Sequence, residues 1–217
     1  NALKAGNGAQ VKQVIQIANA LSEQTIYLHL EGGKAGGHHS WEDLEQLLLE
    51  SYHLIRATPN LVLCVGGGIA TEERSAELLN GSWSRVYGLQ PMPVDSVLLG
   101  TICMAVKEAK TSRQVKEALV NTSGTPKWVY SGSTDGGMTS GKSQLNADIH
   151  YVDNFAAQCG RLLDSVAGDA EKVAEKYDEI ISLINKTAKP FFGEIEEMTY
   201  AQLLTRMLTL MAVGEHD

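Results

Sequence analysis

Two histidines lie side by side in a glycine-rich stretch, Gly36-Gly37-His38-His39. Their neighbours are too small to make either ring an ordinary packing residue. An imidazole with its usual pKa near ~6.5 can give or take a proton at neutral pH, so both His38 and His39 are candidate acid–base residues. The competing reading is structural, with the ring nitrogens bonded to backbone groups. A metal site completed by His29 is disfavoured, because adjacent residues point apart and no acidic or cysteine ligand stands at a recognisable spacing. No metal is expected.

Glycines recur in a second pattern. Gly36-Gly37, Gly66-Gly67-Gly68 and Gly100-Thr101 each follow an apolar run and precede a helical one. Glycine lets the backbone approach an anion at a helix start, where free N–H groups and the helix dipole favour phosphate. One such loop is only a tight turn. Three at the ends of successive strands point to one shared anion site, as at the C-terminal face of a barrel. The spacing fits neither G-x-G-x-x-G with an acid about 20 positions on nor G-x-x-x-x-G-K-[ST]. Glu31 and Lys34 frame the first loop. Both read as solvated charges, with attraction of a phosphate-bearing cofactor as the alternative for Lys34. Asp95 reads as a bond acceptor for backbone N–H groups nearby, and Trp41 and Trp83 as packing residues.

The elements that must position these residues follow from periodicity. Val11, Val14, Ile15, Ala18 and Leu21 mark one helix face. Residues 25–31, 61–65 and 94–99 read as strands, with a stub before Asn7, and 61–65 as a run covered on both faces. Ser40 with Asp43 resembles a capping box ahead of a stripe of Leu44, Leu47, Leu48, Ser51, Leu54 and Ile55. Thr71 caps a helix through Leu79, and Gly100-Thr101 opens one to about Lys110. Strands alternating with helices imply a parallel sheet. Residues 121–146, rich in Gly, Ser and Thr, read as a lid or linker. Beyond them lie stripes at Val152, Phe155, Ala156, Cys159, Leu162, Leu163 and Val166, then at Val173, Tyr177, Ile180 and Ile184 after Asp169. A capping box at Thr199 and Gln202 opens a last helix.

Composition narrows the class. The chain has 217 residues, 43% hydrophobic and 20% charged, which suits a folded protein. A net charge of −8 without a basic stripe argues against nucleic acid. No apolar run approaches the ~20 residues of a membrane helix, and no secretory signal is seen. Three scattered cysteines suggest reduced thiols in a cytoplasm. Asn1 in place of Met allows a cut from a larger chain.

The stretches GGKAGGHHSWEDL, LCVGGGIATEERSAELLNGSWS and PMPVDSVLLGTICMAVKEAKTS resemble the enoyl reductase region of type I fatty acid synthases. The resemblance is to the bacterial, actinobacterial-like single-chain form and the related fungal beta subunit. GGMTSGKSQLNADIH and MTYAQLLTRM extend it toward the C-terminus. The resemblance implies a (β/α)8 (TIM) barrel of the nitronate monooxygenase-like type that binds FMN, is reduced by NADPH, and acts on an enoyl chain carried by an acyl carrier protein domain. It implies Gly36, Gly37, Gly66, Gly67, Gly68, Leu99, Gly100 and Thr101 as cofactor-binding residues. His38, or else His39, would protonate the substrate or polarise its thioester. Lys34 stands where the family leads us to expect arginine, and Lys142 and Ser143 are further candidates for substrate or cofactor contact.

The expected fold is therefore α/β. Residues 1–112 would be the C-terminal part of the FMN-binding barrel, 113–150 a lid or linker, and 151–217 an α-helical extension. Three full strands and a stub cannot close a barrel, so the missing N-terminal half and the other synthase domains are expected partners, in a parent homo-oligomer. The rivals are another FMN barrel, such as a nitronate monooxygenase, and a non-catalytic structural segment of the synthase.

Overall fold

The computed structural model describes residues 1–124, 129–143 and 145–213. Residues 125–128 and Gln144, inside the expected lid, lie outside the described residues. The chain divides into two compact units, residues 1–151 and 152–217.

The first unit opens β1 (Ala2–Ala5), α1 (Gly8–Ala20), β2 (Ile26–Glu31), β3 (Gly37–His38), α2 (Leu44–Arg56), β4 (Leu61–Gly66), α3 (Glu72–Asn80) and β5 (Ser96–Leu98). Four of these strands form a parallel sheet in the order β1-β2-β4-β5. Each strand lies beside its predecessor in that series, so there is no point at which the winding reverses. The apolar stripes decide which face is covered. Leu28 and Leu30 of β2 and Leu63 and Val65 of β4 share one buried core with Val11, Val14 and Ala18 of α1, Leu47, Leu48 and Ile55 of α2, and Leu78 of α3. Each buried Val, Leu or Ile among them contributes about 1.5–3 kcal/mol by leaving water.

The opposite face is mixed, with Tyr27, Val62 and Leu98 on the rows flanking a polar one. Lys4, His29, Cys64 and Ser96 share one register row across the four strands. Residues 61–65 were expected to be covered on both sides. Instead burial alternates: Leu61, Leu63 and Val65 are buried, Val62 and Cys64 half-buried, because the unit's helices lie over one face alone.

Asp43, not Ser40, caps α2, accepting from the backbone N–H of Glu45 at 2.9 Å and Gln46 at 3.3 Å. Asp95 ties the sheet together, as its carboxylate accepts from the Leu63 N–H and pairs with Arg56, both at 2.7 Å. The helix expected from Thr101 to Lys110 is only α4 (Thr101–Ala105). Ile102 and Met104 stay exposed, so no packing prolongs it.

The segment read as a lid or linker carries α5 (Arg113–Asn121), β6 (Thr134–Asp135), β7 (Met138–Lys142) and β8 (Asp148–Val152). With β3 these strands make a second four-stranded sheet, β3-β8-β7-β6. Thr139 and Ser140 of β7 are buried. Strands this short and polar give no apolar alternation, so composition alone reads as loop.

The second unit is helical: α6 (Phe155–Val166), α7 (Ala170–Glu175), α8 (Tyr177–Phe192) and α9 (Tyr200–Val213). Leu162 and Val166 of α6 pack on Ile180 of α8. Val173 and Tyr177, placed on a buried stripe by their spacing, are exposed. The expected box at Thr199 forms: Gln202 accepts from the Thr199 N–H at 2.8 Å, and the Thr199 hydroxyl accepts from the Gln202 N–H at 3.3 Å.

Candidate functional site

The three glycine loops leave the same end of the parallel sheet and meet in one cleft of about 230 Å³. Gly36, Gly67, Gly68, Gly100 and Thr101 all line it, with Lys34 and Glu31 beside them and Met138 of β7 contributing from the small sheet. The approach is close at each loop. Gly67 sits at φ +100°, and a methyl group there would come 2.9 Å from the Gly32 carbonyl. Gly68, at φ +71°, would press 3.2 Å from the Lys34 side chain, and a Cβ on Gly36 would lie 3.2 Å from the Thr101 hydroxyl. Only glycine tolerates the first two positions without strain.

The other glycine candidates sit elsewhere. Gly66 pairs with Glu31 in register, and a side chain on it would run 2.5 Å from His29 Nε2. Its smallness therefore makes room for an imidazole. Gly37, at φ +73°, starts β3. Leu99 is exposed and does not line the cleft.

Glu31 read as a solvated loop charge, yet it is only 8% exposed. It forms an ion pair with Lys4, and His29 Nε2 lies 3.8 Å away. Burial pushes the His29 pKa down, with Glu31 opposing and Lys4 adding to the fall. The missed signal was strand alternation: Lys4's register partner His29 and Glu31, two residues on, share one face of β2.

The two histidines separate. His38 is exposed, and its carbonyl accepts from Lys4 Nζ at 2.9 Å. His39 is half-buried and stacks on His150 of β8 with ring centroids 3.7 Å apart. Trp41 meets His39 edge-on at 4.8 Å, stacks on Tyr130 at 5.5 Å, and donates through Nε1 to Asp148 at 2.7 Å. The Ser40 carbonyl lies 2.5 Å from His39 Nδ1, so that nitrogen carries the proton. His39 Nε2 is buried without a hydrogen-bond partner. Burial holds its pKa below the usual histidine range, the Ser40 bond opposes this, and His150 lowers it further. Lys142 pairs with Asp148 at 2.8 Å and, with Trp41, holds that carboxyl below the usual carboxylate range. Ser143 accepts backbone N–H groups of its own turn, from Leu145 and Ala147. Among the described residues no group of three His, Cys, Asp or Glu side chains converges to hold a metal, and no helix is long and apolar enough to cross a membrane.

Residues 25–217 match the family described as Fas1-AflB-like_hel, "Fatty acid synthase subunit beta/Fas1-like, helical". The chain belongs to this family. It is 36% identical over 235 residues to the fatty acid synthase subunit beta of Gibberella zeae, with 99% of this chain and 11% of that protein covered. It is 34% identical to fatty acid synthase beta subunit aflB of Emericella nidulans, again over 99% of this chain and 11% of the relative. Against fatty acid synthase beta subunit pigK of Monascus ruber, identity is 34%, covering 99% and 12%. The family is therefore the fungal beta-subunit type, not the bacterial single-chain form, and the chain spans about 11% of the length of the first of these relatives.

Proposed function

We propose that this chain is part of the enoyl reductase of a cytoplasmic fatty acid synthase, and that its cleft holds the phosphate end of FMN. The observation that carries this reading is the convergence of Gly36, Gly67–Gly68 and Gly100–Thr101 at the carboxyl ends of consecutive parallel strands. A phosphate needs close backbone approach, a hydroxyl and a cation. The glycines, Thr101 and the exposed Lys34 fit those needs. At about 230 Å³ the cleft is smaller than the roughly 300–1,000 Å³ of whole-ligand sites, so it suits the phosphate end and not the ring.

Parallel sheets are covered on both faces. Here helices cover one face and the strand order never reverses, which supports a segment of a singly wound barrel. The remaining strands and the ring pocket would come from other parts of the parent synthase.

When bound, FMN supplies the hydride chemistry, with NADPH as reductant and an enoyl chain on an acyl carrier protein domain as substrate. His38, exposed and two residues from cleft-lining Gly36, gives the proton to the substrate α-carbon. His39 suits that step less well. Burial disfavours its charged form, and its Nδ1 faces the Ser40 carbonyl. Lys34 attracts the anionic cofactor, and Glu31, neutralised by Lys4, does not repel it.

The test uses the full-length parent protein, read by flavin absorbance and by NADPH oxidation with a 2-enoyl thioester. His38→Ala is expected to slow reduction by about 100-fold or more, and His39→Ala by much less. Reduction at the wild-type rate in His38→Ala sinks the catalytic assignment. Oxidation of nitronates with enoyl thioesters untouched would point to a nitronate monooxygenase instead.

A further inference from the structure

We propose that Lys4 is a positioning residue for His38: its ammonium donates to the His38 carbonyl at 2.9 Å while its charge pairs with the buried Glu31 carboxylate. The inference rests on the enoyl reductase reading above.

An ammonium has three donors and no acceptor, so it can tie two acceptors together at once. Lys4 lies on β1, beside His29 of β2 in register, and both strands belong to the rigid parallel sheet. Glu31 closes β2 at 8% exposure, and a carboxylate so far from water requires a cation. That requirement fixes where the Lys4 ammonium sits. The ammonium in turn fixes the peptide that follows His38.

The constraint matters because Lys4 holds the carbonyl side of a peptide whose N–H side is tied to β8, where the His39 N–H donates to the Asp148 carbonyl at 3.2 Å. β3 has two residues, with His38 opposite Ile149 and Gly37 opposite His150. A strand of two residues has few ladder bonds to resist displacement. A charge-assisted bond anchored in the parallel sheet adds a tie from a second direction. Lys4 touches neither the imidazole of His38 nor, in this reading, the substrate. It acts on the position of the ring through the backbone.

Lys4→Met alone would strand the Glu31 charge and could unfold the end of the sheet. The comparison is therefore between Glu31→Gln and the double variant Lys4→Met/Glu31→Gln in the full-length protein, where neither carries an unpaired buried carboxylate. The double variant is expected to show kcat for enoyl reduction about 10-fold below Glu31→Gln, with KM for the enoyl thioester unchanged. Lys4→Arg, which keeps a donor in reach of both acceptors, should stay within about threefold of wild type. A cryo-EM map of the double variant should show residues 36–39 displaced relative to Glu31→Gln.

Equal kcat in the two variants, or an unmoved His38 backbone, would reduce Lys4 to a counter-ion of Glu31 and overturn the proposal. Failure of the functional reading shows separately. If His38→Ala reduces enoyl thioesters at full rate, the reading falls and takes the positioning role of Lys4 with it. If His38→Ala is slow while the double variant matches Glu31→Gln, only the role of Lys4 falls.

Discussion

His39 shows how one buried atom sets a pH dependence. Its Nε2 has no hydrogen-bond partner, and burial holds its pKa below that of an exposed histidine. His150 stacks on it, Asp148 and Glu31 lie close enough to oppose the shift, and Lys142 neutralises Asp148. The folded state thus binds the proton less readily than the unfolded state. The contribution of His39 is fully present above the ordinary value near ~6.5 and is lost as pH falls. Backbone amides of β3 should exchange hydrogen faster, relative to those of β4, at pH 5.5 than at pH 7.5 (about one unit either side of ~6.5). In His39→Phe that difference should shrink; an unchanged difference would remove His39 as its cause. Gly67 makes a second prediction at this scale. An alanine there would combine φ +100° with a 2.9 Å clash against the Gly32 carbonyl. We expect a loss of about 1–3 kcal/mol in thermal melts and a fall in bound flavin in the full-length protein.

At the scale of elements, helix starts were the most legible features. Thr71 accepts from the Arg74 N–H, Asp169 from that of Lys172, and Thr199 exchanges bonds with Gln202, each at the position its residue type marked. Such caps are settled within four residues, so the local sequence carries them. Ser40 does not cap the helix: its hydroxyl donates to the Glu31 carbonyl at 3.4 Å, and Trp41 beside it donates to Asp148 of β8. Asp43 then takes the cap. Asp43→Ala should cost about 1 kcal/mol in a denaturation experiment. Asp95→Ala should cost more, about 1–3 kcal/mol, because it leaves the Leu63 N–H and Arg56 without their shared acceptor. A Lys or Glu substitution at exposed Val120 on α5 should serve as the control with little effect.

At the scale of the first unit, the parallel sheet presents one apolar face under its helices and a mixed opposite face whose polar row is Lys4, His29, Cys64 and Ser96. If the rest of a barrel closes over that opposite face in the parent, the half-buried Cys64 thiol should become protected there. A thiol reagent should then label Cys64 in the isolated chain and much more slowly in the full-length protein, with exposed Cys103 as the fast reference and buried Cys159 as the slow one. Equal labelling of Cys64 in both would count against closure.

By itself the sequence determined what short-range physics decides: the alternation of strands with helices in the first unit, most caps, and the glycines that let three loops come close. It also offered the Gly36-Gly37-His38-His39 segment as a candidate for chemistry. It did not separate the two histidines, because their difference depends on partners far along the chain: Lys4 on β1 for His38, and His150 on β8 for His39. Nor did it show that Glu31 is buried, since that follows from which face of β2 turns toward Lys4. Only the tertiary structure decided these points, because the pairing of β1 with β2 and of β3 with β8 sets side-chain neighbours that no local window contains.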